Sequence, residues 1–246
     1  MRQPRDYIIF PLDVPSLAAA EDCVRQLAGH VGMFKVGLEL FIQCGPAVMT
    51  MIRENSDAGV FLDLKLHDIP ATVERAMARV AAYGVELATV HIGESQKMLE
   101  AAVKGAGNKV KVLGVTVLTS VSGQDIADAG FLPEYAEDVF QLVERRAEGA
   151  RAAGCAGIVC AGTEVAEIKS RFGRDFLAIT PGIRPAWEKT AGDDQKRIVT
   201  PADAIYGGSD YLVIGRPIRD AADPARAARR IGDEIAAAIT SRPADK

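Results

Sequence analysis

Four charged residues of alternating sign lie in or just after two short apolar runs of the sequence. Lys35 lies in one run, Asp63 and Lys65 lie in the next, and Asp68 follows that run. Side chains alternate between the two faces of a strand, so Asp63 and Lys65 share a face. Charges on a buried face are costly unless they are paired. The spacing predicts an alternating cluster, Lys35–Asp63–Lys65–Asp68, in which the carboxylates keep both ammonium groups protonated.

The neighbours of these charges predict which way they point. Phe61 shares their face, whereas the opposite face of the same run carries the leucines Leu62, Leu64 and Leu66. The leucines should meet helices, and the charges should point into a barrel. A structural ion-pair layer would explain the pairing, but not the position of the charges at the strand ends where barrel enzymes place their active sites. A Schiff-base lysine is disfavoured, because close carboxylates hold an amine in its protonated, non-nucleophilic form.

Histidine and cysteine spacing gives little support for a metal site. No further histidine lies at a suitable distance from His67-Asp68, so metal-dependent hydrolysis is disfavoured. His91, with Glu94 nearby, is a candidate for a pocket wall, and a hydrogen-bonded structural histidine is an equally good interpretation. The four cysteines form no C-x-x-C pair and predict free thiols in a reducing compartment.

Two glycine- and arginine-containing segments predict a phosphate site. Arg184 follows Pro181-Gly182, and Gly215 precedes Arg216. Glycine lets a backbone N–H approach an anion closely, and arginine offers a planar bidentate donor. The long polar segment 186–197 contains Gln195 and is either a lid over the phosphate or a tolerated surface insertion.

Eight apolar runs of strand length alternate with helix-like stretches, which indicates a parallel sheet with helices outside it. Eight repeats favour a closed (β/α)8 TIM barrel in a single domain, residues 1–246, over an open doubly wound sheet. No G-x-G-x-x-G follows the first run, where Asp13 stands instead. One helix is expected over Pro133–Ala153 and another over Ile69–Tyr83. The predicted strands are Tyr7–Leu12, Met33–Val36, Val60–Leu64, Leu87–Val90, Val110–Val115, Gly157–Val159, Phe176–Ile179 and Tyr211–Ile214.

Composition narrows the class of protein. Hydrophobic residues make up 48% of the 246 residues, as in a globular protein with a large core. The net charge of −4 without basic runs argues against a nucleic-acid or anionic-membrane surface. No apolar stretch approaches the roughly 18 residues of a membrane span, and no signal peptide is recognisable, so the expected location is the cytoplasm.

The segment Asp63–Thr72 reads D-L-K-L-H-D-I-P-A-T and resembles the D-L-K-x-H-D-I-P-x-T signature of the orotidine 5′-phosphate decarboxylase family. Further similarity to this family runs in order along nearly the whole chain. It is carried by Leu12-Asp13, Lys35-Val36-Gly37, Val115–Ser120, Thr180–Pro185, Asp194-Gln195 and Val213–Ile218. Two departures are Ala71, where the family usually has asparagine, and His91–Ser95, which differs from H-A-x-G-G.

The resemblance implies decarboxylation of orotidine 5′-phosphate to UMP, the last step of de novo pyrimidine synthesis, without cofactor or metal. It also implies a homodimer in which Asp68 and Thr72 reach into the partner's site. Lys65 would stabilise and protonate the C6 carbanion, with Asp63 and Lys35 holding it in position. Other implied substrate-binding residues are Asp13 and Lys35 at the ribose, Thr119 at the base or ribose, and Gln195, Gly215, Arg216 and Arg184 at or near the phosphate.

Two rival functions stay open at this point. A related barrel enzyme acting on a sugar phosphate through an enediolate would need a divalent metal. A catalytically silent nucleotide-binding barrel would have little use for a costly cluster of buried charges.

Overall fold

A computed structural model describes residues 2–93, 95–187 and 198–241. Its eight parallel strands are hydrogen-bonded in chain order and close into a barrel, because the first strand also pairs with the last. The predicted (β/α)8 barrel is therefore confirmed, and the open sheet is excluded. The strands are β1 (Ile8–Pro11), β2 (Met33–Gly37), β3 (Gly59–Leu66), β4 (Leu87–His91), β5 (Lys111–Val115), β6 (Gly157–Val159), β7 (Leu177–Thr180) and β8 (Tyr211–Val213).

Helices follow the strands on the outside of the barrel. Several begin at a side-chain cap, as where Ser16 Oγ accepts the N–H of Ala19 and Thr200 Oγ1 accepts the N–H of Asp203. The helices are α1 (Leu17–Leu27), α2 (Leu38–Cys44), α3 (Ala47–Asn55), α4 (Pro70–Ala82), α5 (Gln96–Ala106), α6 (Gly123–Asp128), α7 (Pro133–Glu137), α8 (Val139–Ala152), α9 (Val165–Phe172), α10 (Pro201–Gly207), α11 (Arg216–Arg219) and α12 (Pro224–Ser241).

The prediction of one helix over Pro133–Ala153 is wrong. The helix is interrupted at Asp138, whose extended backbone ends α7. Its carboxylate accepts the N–H of Phe140, where α8 begins. An aspartate at this position satisfies a free N–H of a new helix better than it continues an old one. The preceding helix α6 was not predicted, although Ser122 and Asp125 form a capping box there.

Alternation along the strands separates two cores. A small cluster fills the barrel interior, and a much larger one lies between the strands and the helices. Phe61 belongs to the inner cluster and Leu62 to the outer one, while Leu64 and Leu66 pack against the outer one. This is the division predicted for β3. The inner cluster consists of Ile9, Met33, Phe61, Leu87, Leu113 and Ile179.

The carboxyl half of β3 is not a regular strand. Leu62 lies opposite Ala88, but Leu66 lies opposite Val90, so β3 carries two more residues than β4 over this stretch. Within this bulge, Lys65 has a φ of 51°. A left-handed backbone costs an L-residue about 1–2 kcal/mol and persists where surrounding contacts hold it. Bulges redirect side chains and occur next to active sites. This one determines where the Lys65 side chain begins.

All four cysteines are free, and burial raises the pKa of the Cys155 thiol to about 12. No helix within the three described ranges has the length and apolar character needed to cross a membrane.

Candidate active site

Three neighbouring strands bring four charged side chains together at their carboxyl ends. Lys35 Nζ on β2 lies 3.1 Å from Asp13 Oδ1, which follows β1, and 3.6 Å from Asp63 Oδ2 on β3. Lys65 Nζ lies 2.9 Å from the same Asp63 Oδ2. The charges therefore form a chain, Asp13–Lys35–Asp63–Lys65, with alternating sign.

Asp68 is not part of this cluster in its own chain, so the predicted alternation Lys35–Asp63–Lys65–Asp68 does not form within a single chain. The chain leaves the barrel after Leu66, and Asp68 Oδ1 accepts the N–H of Ile69 at 2.6 Å. In the part of the chain that the structure describes, Asp68 makes no ion pair with either lysine. Thr72 lies in the first turn of α4, beyond Asp68. Asp13 takes the fourth place instead.

The burial of these charges is graded. Asp63 is 9% exposed as a whole residue. The exposed fraction of the side chain is 13% for Lys35, 30% for Lys65 and 54% for Asp13. A buried carboxylate is tolerated when opposite charges and hydrogen bonds compensate its lost hydration. Asp63 has both, since it lies between two ammonium groups. It is the centre of the cluster, between the nearly buried Lys35 and the partly exposed Lys65.

Thr89 is a site residue that the sequence reasoning missed. Its hydroxyl donates to Asp63 Oδ1 at 2.9 Å and accepts the N–H of Lys65, also at 2.9 Å. Thr89 is 1% exposed and lies in the middle of β4. The signal was present, because Leu87 and Thr89 alternate in phase along the strand and Leu87 points into the barrel. A threonine at an inward position next to a buried aspartate indicates a hydrogen bond.

Two cavities adjoin the cluster and share Lys35, Pro181 and Val213. The smaller one, of about 170 Å³, is largely apolar and contains the cluster residues Asp63 and Lys65. Val115 at the end of β5 also lines it, together with Val117 and Thr119 from the segment that follows. The larger one, of about 410 Å³, has a mixed polar and apolar lining. Its lining includes Asp13, Gly182, Arg184, Gly215, Arg216 and Arg219.

The larger cavity brings together the two segments predicted to bind phosphate. Gly182 has a φ of 75°, which favours glycine, and a Cβ on Gly215 would lie 3.0 Å from Pro11. Arg184 and Arg216 both line the cavity. Gln195 lies outside the described residues, so the lid interpretation of its segment stays a prediction.

Arg219 is a second residue that the sequence reasoning missed. It follows Arg216 by one turn of α11 and lines the same cavity. Its guanidinium donates to both oxygens of Asp220, at 2.7 and 3.1 Å, and this hydrogen bonding raises the pKa of Arg219. A short helix that begins at the end of β8 places both arginines on the cavity.

Two histidine rings stack on each other where β3 and β4 end. The rings of His67 and His91 are stacked, with centroids 6.0 Å apart. A Cβ on Gly93 would lie 2.6 Å from His67 Nε2, so glycine is needed for this contact. Glu94 lies outside the described residues. In residues 2–93, 95–187 and 198–241, no group of three His, Cys, Asp or Glu side chains is arranged to hold a metal ion.

We expect His91 to make the stability of the fold depend on pH. Burial lowers the pKa of His91 below its ordinary 6.5, and the charges of Arg146 and Lys65 lower it further. As the pH falls through 6.5, the unfolded chain therefore takes up a proton before the folded chain does, and unfolding is favoured. The free energy of unfolding, measured with urea, should fall between about pH 7.5 and pH 5.5. His91→Gln should reduce this fall, and identical pH dependence in the variant would contradict the assignment.

Comparison with known proteins gives a consistent result. A family model described as orotidine 5′-phosphate decarboxylase / HUMPS family matches residues 6–231. The chain is 53% identical over 239 residues to a protein named orotidine 5′-phosphate decarboxylase from Desulfosudis oleivorans, covering 97% of this chain and 96% of that protein. It is 44% identical over 245 residues to the protein of that name from Syntrophotalea carbinolica, covering 96% of this chain and 98% of that protein.

A solved structure extends the similarity to three dimensions. The crystal structure of orotidine 5′-phosphate decarboxylase from Lactobacillus acidophilus superposes with a TM-score of 0.79 at 33% identity, covering 93% of this chain and 98% of that one. The family match and the relatives both extend over nearly the whole chain. The chain therefore belongs to the orotidine 5′-phosphate decarboxylase / HUMPS family.

Proposed function

We propose that this protein removes CO2 from orotidine 5′-phosphate to give UMP, without a cofactor. The observation that carries the proposal is the position of Lys65. Its ammonium group is paired with the buried Asp63 and lines a small apolar cavity, which adjoins an arginine-lined one. Relatives that align along almost their full length have the name of this activity. A flat pyrimidine attached to a ribose phosphate matches this arrangement, in which an apolar cavity, a charged cluster and an arginine-lined cavity adjoin one another.

Each of the two cavities would hold one part of the substrate. The pyrimidine ring would occupy the smaller cavity, with Thr119 at the base or ribose. Asp13 and Lys35, whose side chains lie 3.1 Å apart, would bind the ribose hydroxyls. The phosphate would lie in the larger cavity. There the expected partners are Arg216, the backbone of Gly215, and Arg184 nearby, with Gln195 from the segment outside the described residues.

The chemistry needs a cation next to C6. When the bond between C6 and the carboxylate breaks, its electron pair stays on C6, and the ring offers no obvious place to delocalise it. A preorganised ammonium group in a site shielded from water stabilises such a charge without reorganisation. Lys65 then transfers a proton from Nζ to C6, CO2 leaves, and the neutral amine regains a proton from solvent. Asp63 pairs with Lys65 Nζ and positions it, and Lys35 holds the same Asp63 oxygen from the other side.

The protein would act as a homodimer with shared sites. Asp68 lies outside its own chain's cluster, and Thr72 follows it in α4. Exposed apolar side chains stand in segments that follow the same ends of β2, β3 and β5, namely Leu38, Ile42, Ile69 and Leu118. Several exposed apolar side chains at one end of a barrel are a reason to expect a protein interface there. When a partner covers this surface, Asp68 would enter the partner's site and face the departing carboxylate of the substrate bound there. Thr72 would contact the same substrate. Free cysteines and a nucleotide substrate fit a cytoplasmic location.

The direct test is the ultraviolet absorbance of orotidine 5′-phosphate mixed with EDTA-treated protein. The absorbance of the orotate ring should fall while UMP appears, and added EDTA should not slow the change. Activity that requires a divalent metal would contradict the cofactor-free mechanism. A folded protein that binds UMP but leaves orotidine 5′-phosphate unchanged would be a binding protein and would overturn the proposal.

Arg216→Ala should lower kcat/KM for orotidine 5′-phosphate by about 10²-fold, because a charged hydrogen bond contributes about 1.5–3 kcal/mol. Phosphate binding energy is also used to organise the site, so part of the loss should appear in kcat. The exposed Arg226 on α12 provides a matched control, and Arg226→Ala should keep wild-type constants. Orotidine, which has no phosphate, should be an equally poor substrate for wild type and Arg216→Ala. If Arg216→Ala also lowers kcat/KM for orotidine, the role of Arg216 is not in binding the phosphate.

A further inference from the structure

One buried hydroxyl links the central carboxylate of the site to the backbone of its lysine. Thr89 Oγ1 donates to Asp63 Oδ1 and accepts the Lys65 N–H, each at 2.9 Å. We propose that Thr89 is a positioning residue, whose hydroxyl sets the location of Lys65 Nζ by fixing both the Asp63 carboxylate and the left-handed backbone of Lys65. This inference rests on the proposed decarboxylation.

The backbone ladder cannot hold Lys65 by itself. The register between β3 and β4 shifts between Leu62 and Leu66, so the Lys65 N–H lies where regular strand pairing is interrupted. A buried N–H needs a partner, and here the partner is the Thr89 side chain instead of a carbonyl. The same bond opposes relaxation of the φ of 51° at Lys65 toward the extended region.

The carboxylate of Asp63 is fixed by the same atom. Asp63 Oδ2 contacts Lys65 Nζ at 2.9 Å and Lys35 Nζ at 3.6 Å, so the Thr89 hydroxyl is the bond that holds Oδ1. The last side-chain torsion of aspartate is broad, and a carboxylate held at one oxygen can turn. Thr89 is 1% exposed, so solvent does not readily replace its hydroxyl. As a β-branched residue in a strand, it is itself held in few rotamers.

The test compares steady-state constants of purified full-length variants with orotidine 5′-phosphate. Thr89→Val keeps the shape and removes the hydroxyl, and Thr89→Ser keeps the hydroxyl. Thr116→Val is the matched control, because Thr116 is equally buried and its hydroxyl donates to the Val159 carbonyl at 2.9 Å, not to the cluster. Thr89→Cys, with a weak hydrogen-bonding group of similar size, replaces Thr89→Val if the valine variant does not fold.

Thr89→Val should lower kcat by about 10–10²-fold, because a displacement of about 1 Å in a catalytic group has this effect, and should change KM by less than about threefold. Thr89→Ser should recover most of kcat, and Thr116→Val should keep it within about twofold. A purely structural role would affect both valine variants alike and would not give the recovery by serine. If wild type is active and Thr89→Val matches it, this inference is overturned and the proposed function stands. An inactive wild type overturns both.

Discussion

Lys65→Met should lower the turnover of orotidine 5′-phosphate by at least about 10⁴-fold, because it removes both the proton donor and the charge that stabilises the carbanion. The folded protein should remain. Methionine keeps the apolar stem of the side chain, and Asp63 keeps its contacts with Lys35 and Thr89. Turnover of the purified variant over hours, with UMP measured by chromatography, gives the range needed for this comparison.

A surface lysine shows whether the loss is specific. Lys104 is paired with Glu74 at 2.8 Å and has a side chain that is 73% exposed, so Lys104→Met should keep wild-type turnover. Binding of UMP to Lys65→Met, measured by calorimetry, should persist because the phosphate contacts are intact. Turnover by Lys65→Met within about tenfold of wild type would exclude Lys65 as the proton donor, since proton transfer alone contributes about 10²-fold or more.

Two inactive variants should produce active protein when they are mixed. Lys65→Ala lacks the proton donor, and Asp68→Ala lacks the carboxylate proposed to reach the partner's site. In a heterodimer of the two, one site has both defects and the other has neither. With full subunit exchange at equal concentrations, half of the dimers are mixed, so activity should reach about a quarter of the wild-type value.

Subunit exchange has to be shown separately for this experiment. Differently tagged chains that co-purify after mixing give that measurement. Mixing Lys65→Ala with Asp63→Ala is the matched control, because both defects lie in the same chain's cluster and no site in the heterodimer becomes whole. Exchange without recovery in the first pair would mean that Asp68 does not act across the interface.

Periodic patterns gave the barrel and most of the cluster. Alternating apolar runs and helices predicted the closed sheet, and alternation within β3 predicted that Phe61 points inward and Leu62 outward. Lys35, Asp63 and Lys65 are brought together because parallel strands end at the same edge of the barrel. These features depend on strand period and order, which a sequence displays directly.

Features that depend on backbone irregularity were not predictable in this way. The two extra residues of the β3 bulge become apparent only when β3 is aligned with β4, and nothing in the run from Val60 to Leu66 indicates them. The position of Asp68 was not predictable either, because strand alternation does not set the path of the loop after β3, where Asp68 Oδ1 accepts the N–H of Ile69. Alternation along β4 puts Thr89 on the inward face, but its two hydrogen bonds depend on its distances to Asp63 and to the backbone of Lys65. Short-range hydrogen bonds of this kind are set by tertiary contacts.

The strands of the barrel differ in length, so the backbone hydrogen bonds between strands are unevenly distributed around the barrel. The strands that hold the lysines and Asp63 are five and eight residues long, whereas β6 and β8 have three residues each and β7 has four. Local opening costs least where the fewest backbone hydrogen bonds and packed side chains must separate. In the proposed mechanism, the half that stabilises the carbanion is thus the half with the longer strands. The half with Arg184 and Arg216, proposed to bind the phosphate, would adjust to it at little cost to the geometry around Lys65.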